Sequence, residues 1–170
     1  MENVSLRQWL DSDLEPYAAM NCDLEVMRFF PTLLDRQHTA ASLTMQRGLI
    51  DQRGWGLWAV DVDGRFAGFT GLAVPGFQAE FMPCVEIGWR LRREYWGRGI
   101  AAQAARQALS YGFDVLKLPE IVSFTAVLNA RSRRLMERLD FVHDFEGDFD
   151  HPSIPEGHEV RRHVLYRKKA

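Results

Sequence analysis

The 170-residue sequence contains only two cysteines, Cys22 and Cys84, and it lacks any long apolar run. A lone cysteine pair in a chain that is 46% hydrophobic indicates two reduced thiols rather than a structural disulfide. A membrane-spanning helix needs about 20 apolar residues, and no stretch approaches that length. The N-terminus also lacks the basic and then apolar pattern of a secretory signal. We therefore expect a cytoplasmic protein with no membrane partner.

The sequence also lacks an excess of positive charge. It has 21 Lys and Arg against 23 Asp and Glu, which gives a net charge of -2. Because nucleic-acid surfaces generally need a basic excess, no nucleic-acid partner is expected. The sequence has no low-complexity tract or repeat, and aromatic residues make up 12% of it. This composition predicts one globular domain over residues 1–170.

Hydrophobic periodicity predicts strands and helices throughout the first half of the chain. The predicted elements there are a strand at 4–9, a helix from an N-cap at Asp11 or Ser12 to about Met20, a helix at 36–53 that ends at Gly54, and two strands within 55–74. Asp63-Gly64 between the last two strands is a strong hairpin signal, because a type I′ turn needs positive φ at both central residues.

The second half continues the alternation of strands and helices. Its predicted elements are a strand at 84–92, a helix from Arg98 to about Lys117, a strand at 120–127, a helix at 129–139, and strands at 141–148 and 160–167. The alanine-rich face of the long helix indicates close packing on a sheet. One mixed α/β sheet accounts for this order of elements.

The most informative segment is the glycine pair Gly97 and Gly99, between a predicted strand and the long helix. Unpaired N–H groups and the helix dipole favour an anion at a helix start, and Arg98 adds positive charge. By itself the pair also fits a plain turn. A dinucleotide-binding loop, to which Gly97-x-Gly99-x-x-Ala102 is a loose match, is disfavoured. Such a loop follows its strand directly, and an acidic residue closes the next strand, whereas Glu120 opens its strand here.

Two separated motifs carry a family resemblance. They are Glu86-Ile87-Gly88-Trp89-x-Leu91 with Tyr95-Trp96-Gly97-x-Gly99-x-Ala101, and Asn129-x-x-Ser132-x-Arg134-Leu135-Met136-Glu137-x-Leu139-x-Phe141. Together they resemble the GNAT acetyltransferases, and within these the branch of ribosomal-protein N-terminal acetyltransferases. The resemblance implies a mixed, mostly antiparallel twisted sheet of about seven strands with about four helices. It also implies that the central strands splay to admit acetyl-CoA.

The resemblance assigns cofactor-binding roles to several groups. The backbones of Trp89 and Leu91 would bond the pantetheine arm, Asn129 would reach the same arm, and Ser132 would lie near the thioester sulfur. The amides that would hold the pyrophosphate are those of Trp96, Gly97, Arg98, Gly99, Ile100 and Ala101. Two plainer roles stay open: Asn129 is also a good helix N-cap, and Ser132 is also an ordinary helix residue.

Three positions depart from the family pattern. Glu94 stands where relatives often have Gln or Arg, and Asp140 replaces a glycine in a left-handed helix cap. Met136 stands where many relatives carry a tyrosine that protonates the leaving thiolate. The proton chemistry must therefore involve other residues.

Acyl transfer to an amine needs a group that accepts the amine proton and a group that stabilises the thiolate. We expect Glu86 to be the base, because burial on a central strand raises the pKa of a carboxyl group. The alternative is that Glu86 is a carboxylate paired with an arginine. Ser132 is the expected donor to the thiolate.

The acceptor site is expected between two loops. Phe29-Phe30-Pro31 falls where relatives line this site, and the loop at 148–159 carries His151 and His158. The spacing of these residues and His163 is not that of a metal motif, so no metal is expected.

The predicted function is transfer of an acetyl group from acetyl-CoA to a primary amine, on a protein N-terminus or a small molecule. The alternative is a CoA-binding module with little or no catalytic activity. Homodimerisation is implied by the resemblance alone.

Overall fold

The computed structural model describes residues 2–170, which form one eight-stranded sheet and four α-helices. The helices are α1 (Leu14–Cys22), α2 (Arg36–Arg53), α3 (Ile100–Ser110) and α4 (Ala130–Arg138). The strands are β1 (Val4–Arg7), β2 (Leu57–Val62), β3 (Arg65–Ala73), β4 (Glu86–Leu91), β5 (Glu120–Ala126), β6 (Val142–His143), β7 (Phe149–Asp150) and β8 (Arg162–Lys169). The strand order is β1-β2-β3-β4-β5-β8-β6, and β7 pairs with β8. The predicted mixed α/β sheet is confirmed.

Helices cover both faces of the sheet. On one face, formed with α1 and α2, Tyr17 packs edge-on against Phe69 with ring centroids 6.0 Å apart. On the other face, Ala105 of α3 and Met136 of α4 pack with Ile87 of β4. The buried alanines of α3 allow the close approach that the sequence predicted. No helix among residues 2–170 is long and apolar enough to cross a membrane.

The sheet opens between β4 and β5. These two strands are parallel, whereas the other strand pairs of the described sheet are antiparallel. Their register contains the single pair Glu86 and Val122, and the Val122 N–H donates to the Val85 carbonyl at 3.0 Å. Beyond this pair the strands separate. The predicted splay of the central strands is therefore confirmed.

The turn signals in the first half are also confirmed. Asp63 and Gly64 both have positive φ, at 51° and 80°, as a type I′ hairpin requires. Helix α2 ends at Gly54, whose φ is 82° and whose N–H donates to the Ile50 carbonyl at 2.8 Å.

The predicted N-cap at Asp11 or Ser12 is wrong. Both residues lie in a short 3-10 turn that precedes α1. The buried Asp13 carboxylate accepts the Leu10 N–H at 2.8 Å and Arg7 Nη1 at 2.7 Å. An ion pair with β1 therefore fixes the entry to the helix, and local capping by Asp11 or Ser12 does not.

The predicted strand at 141–148 is interrupted. A 3-10 turn, Phe145–Gly147, separates β6 from β7, and the Asp144 carboxylate accepts the Gly147 N–H at 3.2 Å. This side-chain cap favours the turn over a continuous strand.

Several other boundaries differ slightly from the prediction. The strand expected at 4–9 is Val4–Arg7, and the strand expected at 84–92 is Glu86–Leu91. The helix expected from Arg98 begins at Ile100, and its α-helical part ends at Ser110 in a π-helical turn. The last strand, expected at 160–167, is Arg162–Lys169.

Candidate active site

Backbone hydrogen bonds show which side of β4 faces the opening. The Ser123 hydroxyl of β5 donates to the Ile87 carbonyl at 3.0 Å. On the opposite side, the Arg92 N–H donates to the Ala67 carbonyl of β3 at 2.9 Å. The backbone groups of alternate residues point to the same side of a strand. Residues 87, 89 and 91 therefore direct their N–H and C=O groups into the opening.

Part of this edge is already paired. The Leu91 carbonyl accepts Trp96 Nε1 at 2.9 Å. The backbone N–H and C=O of Trp89 and the N–H of Leu91 have no partner strand on that side in the described chain. They form a short free strand edge, to which an extended polar chain can be added as in strand addition.

A row of free amides lies at the start of α3. Among the described residues, no backbone N–H from 97 to 102 donates to a backbone acceptor, and the first bond of the helix runs from Gln103 to Gly99 at 3.1 Å. Gly97 and Gly99 have φ of 73° and 75°, and a Cβ at either would meet nothing within 4 Å. The row is open to a ligand, and together with the helix dipole it favours an anion.

The row differs by one residue from the predicted set. The Trp96 N–H donates to the Arg93 carbonyl at 3.1 Å and is therefore not free. The Ala102 N–H, which was not among the predicted amides, extends the row at its other end. Ile100 and Ala101 lie within the row as expected.

The side chains around this row are partly engaged with the protein. The Arg98 guanidinium pairs with Glu2 and donates to the Glu94 carbonyl at 3.0 Å, so Arg98 offers its amide rather than its charge. Arg131 of α4 stacks on the Trp96 ring at 3.6 Å and brings another cation to the loop.

Asn129 and Ser132 lie at the start of α4, next to the opening. Asn129 Oδ1 accepts the Ser132 N–H at 3.2 Å, and its Nδ2 donates to Thr125 Oγ1 at 3.1 Å. The plainer reading of Asn129 as an N-cap is therefore confirmed. Trp89 Nε1 donates to Ser132 Oγ at 3.0 Å, which joins β4 to α4 across the opening.

The contact with Trp89 determines that the Ser132 hydroxyl accepts rather than donates in this hydrogen bond. An indole N–H is only a donor, so Ser132 Oγ is the acceptor in this bond. The hydroxyl proton is then free to point to another acceptor. The sequence motifs predicted a role for Trp89 only through its backbone, and this side-chain contact was not predicted.

Glu86 lies on the opposite face of β4 from Ile87 and Trp89, because side chains alternate along a strand. Protein atoms surround most of its carboxyl group, and this burial raises its pKa from 4.5 to about 7. No ion pair among the described residues includes Glu86, so the alternative of a partner arginine is wrong. Near neutral pH the group exchanges a proton readily, which suits a general base.

Aromatic and apolar residues line the same face beside β5. Phe124 contacts Phe77 and Phe149, with ring centroids 5.6 Å and 5.5 Å apart. Phe29, from the segment after α1, packs with the buried Ile154 of the loop after β7. The two loops that were expected to flank an acceptor therefore meet on this face.

Two histidines extend the aromatic wall. The rings of His151 and His163 lie 5.0 Å apart. Burial lowers the pKa of His163 to about 4 and lowers the pKa of His151 as well, so both rings are neutral at pH 7. Residues 2–170 contain no group of three or more His, Cys, Asp or Glu side chains that could hold a metal ion.

Comparison with known proteins identifies the family. Residues 3–142 match the family described as the acetyltransferase (GNAT) domain. The chain belongs to the GNAT acetyltransferases. The resemblance inferred from the two sequence motifs is thereby confirmed.

Individual proteins are similar in sequence to this GNAT domain over only part of the chain. The chain is 34% identical over 119 residues to the FsC-acetyl coenzyme A-N(2)-transacetylase of Aspergillus fumigatus. That match covers 64% of this chain and 49% of the relative, so the chain spans about half the length of that protein.

Solved structures share the fold over nearly the whole chain. A GNAT-family acetyltransferase from Bacillus anthracis superimposes with a TM-score of 0.78 and 24% identity, covering 98% of this chain and 94% of that one. RimL, a ribosomal L7/L12 alpha-N-protein acetyltransferase in complex with coenzyme A, gives a TM-score of 0.75 and 16% identity, covering 98% and 93%. At these identities the likeness is one of fold.

The departures from the GNAT motifs have structural explanations. Asp140 adopts φ of 63°, so it occupies the left-handed cap in place of glycine. Met136 is buried in the core among residues of α3 and the sheet, and its thioether has no proton to donate. Glu94 pairs with Arg92 at 2.6 Å, which offsets its charge near the free amides.

Proposed function

We propose that the chain transfers an acetyl group from acetyl-CoA to a primary amine. The observation that carries this proposal is the opening between β4 and β5, whose free strand edge leads to the open amides at 97–102. The first feature suits an extended chain with amide groups and the second suits a pyrophosphate. The two features together fit a coenzyme A molecule better than a simple anion.

The residues that would hold the cofactor follow from these free groups. The backbone of Trp89 and the Leu91 N–H would bond the pantetheine arm, and the amides of Gly97 to Ala102 would bond the pyrophosphate. Asn129 can still contribute, because its Nδ2 has a second hydrogen beyond the one donated to Thr125. When bound, acetyl-CoA supplies an acyl group that its thioester activates toward amines.

Glu86 and Ser132 have separate roles and lie on opposite faces of the sheet: Glu86 is the proposed base and Ser132 is the proposed donor to the leaving sulfur. Glu86 accepts a proton from the amine, directly or through water, as the new C–N bond forms and the C–S bond breaks. Trp89 Nε1 donates to the Ser132 oxygen, so the hydroxyl hydrogen is free to stabilise the leaving thiolate by a hydrogen bond, and solvent then protonates the thiolate. A single hydrogen bond to a charged partner contributes about 1.5 to 3 kcal/mol.

The proposed acceptor is the primary amine of a protein N-terminus or of a small molecule. Both classes occur among structurally similar proteins, since RimL is named for a ribosomal protein and a solved structure from Vibrio cholerae is a spermidine N-acetyltransferase. The face that carries Glu86, between Phe29 and Phe124, is the proposed acceptor site. The loop at 148–159 completes its wall.

We propose that the protein is located in the cytoplasm. Its two free cysteines support this location, because disulfides are rare there. The proposed unit is one acetyltransferase domain of residues 1–170, because β8, beyond the matched residues 3–142, pairs with β5 inside the sheet. Homodimerisation stays a prediction from the family resemblance.

Thiol release from acetyl-CoA, measured with a panel of primary amines, tests the proposal. We expect amine-dependent release by the wild type, and a rate in the Glu86→Gln variant that no longer rises through pH 7. Calorimetric titration with CoA provides the matched measurement of binding. Tight CoA binding without release above background for any amine would favour the CoA-binding module instead.

A further inference from the structure

Arg90 is a partly buried cation next to the proposed acceptor site. It lies on β4 four residues after Glu86, so both side chains leave the same face of the strand. Its Nη1 donates to Asn21 Oδ1 at 2.7 Å, and its guanidinium lies 4.0 Å from the Phe30 ring and 5.2 Å from the Phe69 ring. Its Nε is buried without any hydrogen-bond partner, and the described residues supply no acceptor for Nη2.

No carboxylate of the described residues balances this charge. Burial lowers the pKa of Arg90 to about 10, yet the guanidinium stays protonated at neutral pH. Buried charges are normally paired. Arg7 pairs with two carboxylates, those of Asp13 and Asp61, and Arg167 likewise makes two ion pairs. Arg90 is therefore a cation that the fold encloses but leaves without an anion.

Open space lies between Arg90 and Glu86. Gly88 is the residue between them on this face, and a Cβ built there would meet nothing within 4 Å. Its φ is not in the left-handed region, so the backbone does not demand glycine at this position. The absence of a side chain at Gly88 leaves this position open, between the proposed base and the unpaired guanidinium along the strand.

We propose that Arg90 binds a carboxylate carried by the amine acceptor itself. This inference rests on the proposed acetyl transfer and narrows its substrate class. A guanidinium recognises a carboxylate by charge-assisted hydrogen bonds, and the free Nη2 provides a donor for one. The acceptor is then an amino carboxylic acid or a peptide with an acidic group, rather than a polyamine or a plain alkylamine.

The spacing of the two groups limits the acceptor further. Residues four apart along a strand have Cα atoms about 13 Å apart. An acceptor that reaches both side chains has its carboxylate several bonds from its amine. This geometry favours an ω-amino acid, or a peptide with an acidic side chain near its N-terminus, over the α-carboxylate of a free amino acid.

Matched acceptors test the subsite. We would measure kcat/KM for 5-aminopentanoate against pentylamine, for the dipeptide amide Ala-Glu against Ala-Gln, and for free alanine. The wild type is expected to prefer the carboxylate member of at least one pair by about tenfold or more. The first pair reports a small-molecule source and the second a peptide source. Equal rates within both pairs, or a preference for pentylamine, would overturn the proposal.

Substitutions separate recognition from structural support. Arg90→Met is expected to lower the preferred ratio about tenfold or more, and Arg90→Lys to give an intermediate ratio because it keeps the charge but loses the planar fork. Arg106→Met, at an exposed position on α3, is the control and should keep the wild-type ratio. If Arg90→Met or Arg90→Lys lowers both members of a pair equally, the role of Arg90 is structural and the proposal fails.

A binding measurement separates this inference from the proposed function. Calorimetric titration of the CoA-bound protein with 5-aminopentanoate and with the Ala-Glu dipeptide amide is expected to show binding of at least one of them that Arg90→Met and Arg90→Lys weaken. If no amine is acetylated but this binding occurs, the acetyl-transfer function fails and the carboxylate subsite stands. If transfer to pentylamine occurs without any carboxylate-dependent binding or preference, the function stands and the subsite fails. Loss of both would overturn both.

Discussion

Replacing Glu86 by glutamine should change the pH dependence of stability in a defined direction. The carboxyl group has a pKa of about 7 in the folded protein, against an ordinary value of 4.5, because burial disfavours its charged form. The folded state therefore holds this proton more tightly than the unfolded state does. The free energy of unfolding should fall as pH rises from about 4.5 to about 7, and then level off.

The size of the effect follows from the same two values. A rise from 4.5 to about 7 corresponds to about 3 kcal/mol at pH well above 7. The side chain keeps some contact with solvent, which reduces the effect to about 2 kcal/mol. Glutamine has a similar shape and no charge, so the variant should avoid this loss.

Urea unfolding followed by tryptophan fluorescence, at pH 5 and pH 8, measures the difference. Relative to wild type, the free energy of unfolding of Glu86→Gln is expected to be about 1.5 kcal/mol higher at pH 8 than at pH 5, because part of the effect already occurs below pH 5. Glu156→Gln, on the exposed loop after β7, is the matched control and should show no such gain. A stability difference between Glu86→Gln and wild type that is the same at both pH values would refute the assignment of a buried, proton-binding carboxyl group.

Three further predictions concern the cofactor groups and the α4 cap. Ser132→Ala should lower kcat for thiol release by about tenfold or more, because it removes the proposed hydrogen-bond donor to the leaving sulfur; an unaltered kcat would contradict this role. Gly99→Ala should strain a residue at φ of 75° by about 1 kcal/mol and weaken CoA binding in calorimetry, and wild-type affinity would contradict the role of the open amides. Asp140→Gly should raise the melting temperature by about 2 to 4 °C, since glycine adopts φ of 63° without strain and the exposed ion pair with Lys168 contributes little. A lower melting temperature in that variant would show that the aspartate side chain stabilises the cap.

Features that depend on neighbouring residues could be predicted well from the sequence. The Asp63-Gly64 turn and the end of α2 at Gly54 follow from local φ preferences. The position of Glu86 on a central strand was enough to predict the direction of its pKa. The break at Phe145–Gly147 was missed, although an aspartate three residues before a glycine is a local signal for a capped turn.

Features that depend on distant parts of the chain could not be predicted. The N-cap of α1 was wrong because Asp13 pairs with Arg7 and Asp61 lies beside the same arginine. The contact from Trp89 to Ser132 joins residues 43 positions apart. The lack of a carboxylate partner for Arg90 depends on all the elements that pack around it. A local sequence pattern does not show which acidic side chains will lie near this arginine.

Side chains alternate between the two faces of β4, and this determines which properties of the protein a mutation on this strand can alter. The backbone at Trp89 and Leu91 offers the proposed cofactor contacts, whereas the side chains of Glu86 and Arg90 leave the strand on the opposite face, where the acceptor is proposed to bind. Backbone groups are the same for every residue type except proline. If the proposed roles hold, substitutions at 88 or 90 should alter acceptor preference and leave CoA affinity unchanged, so directed evolution of this strand could vary the acceptor at little cost to CoA binding.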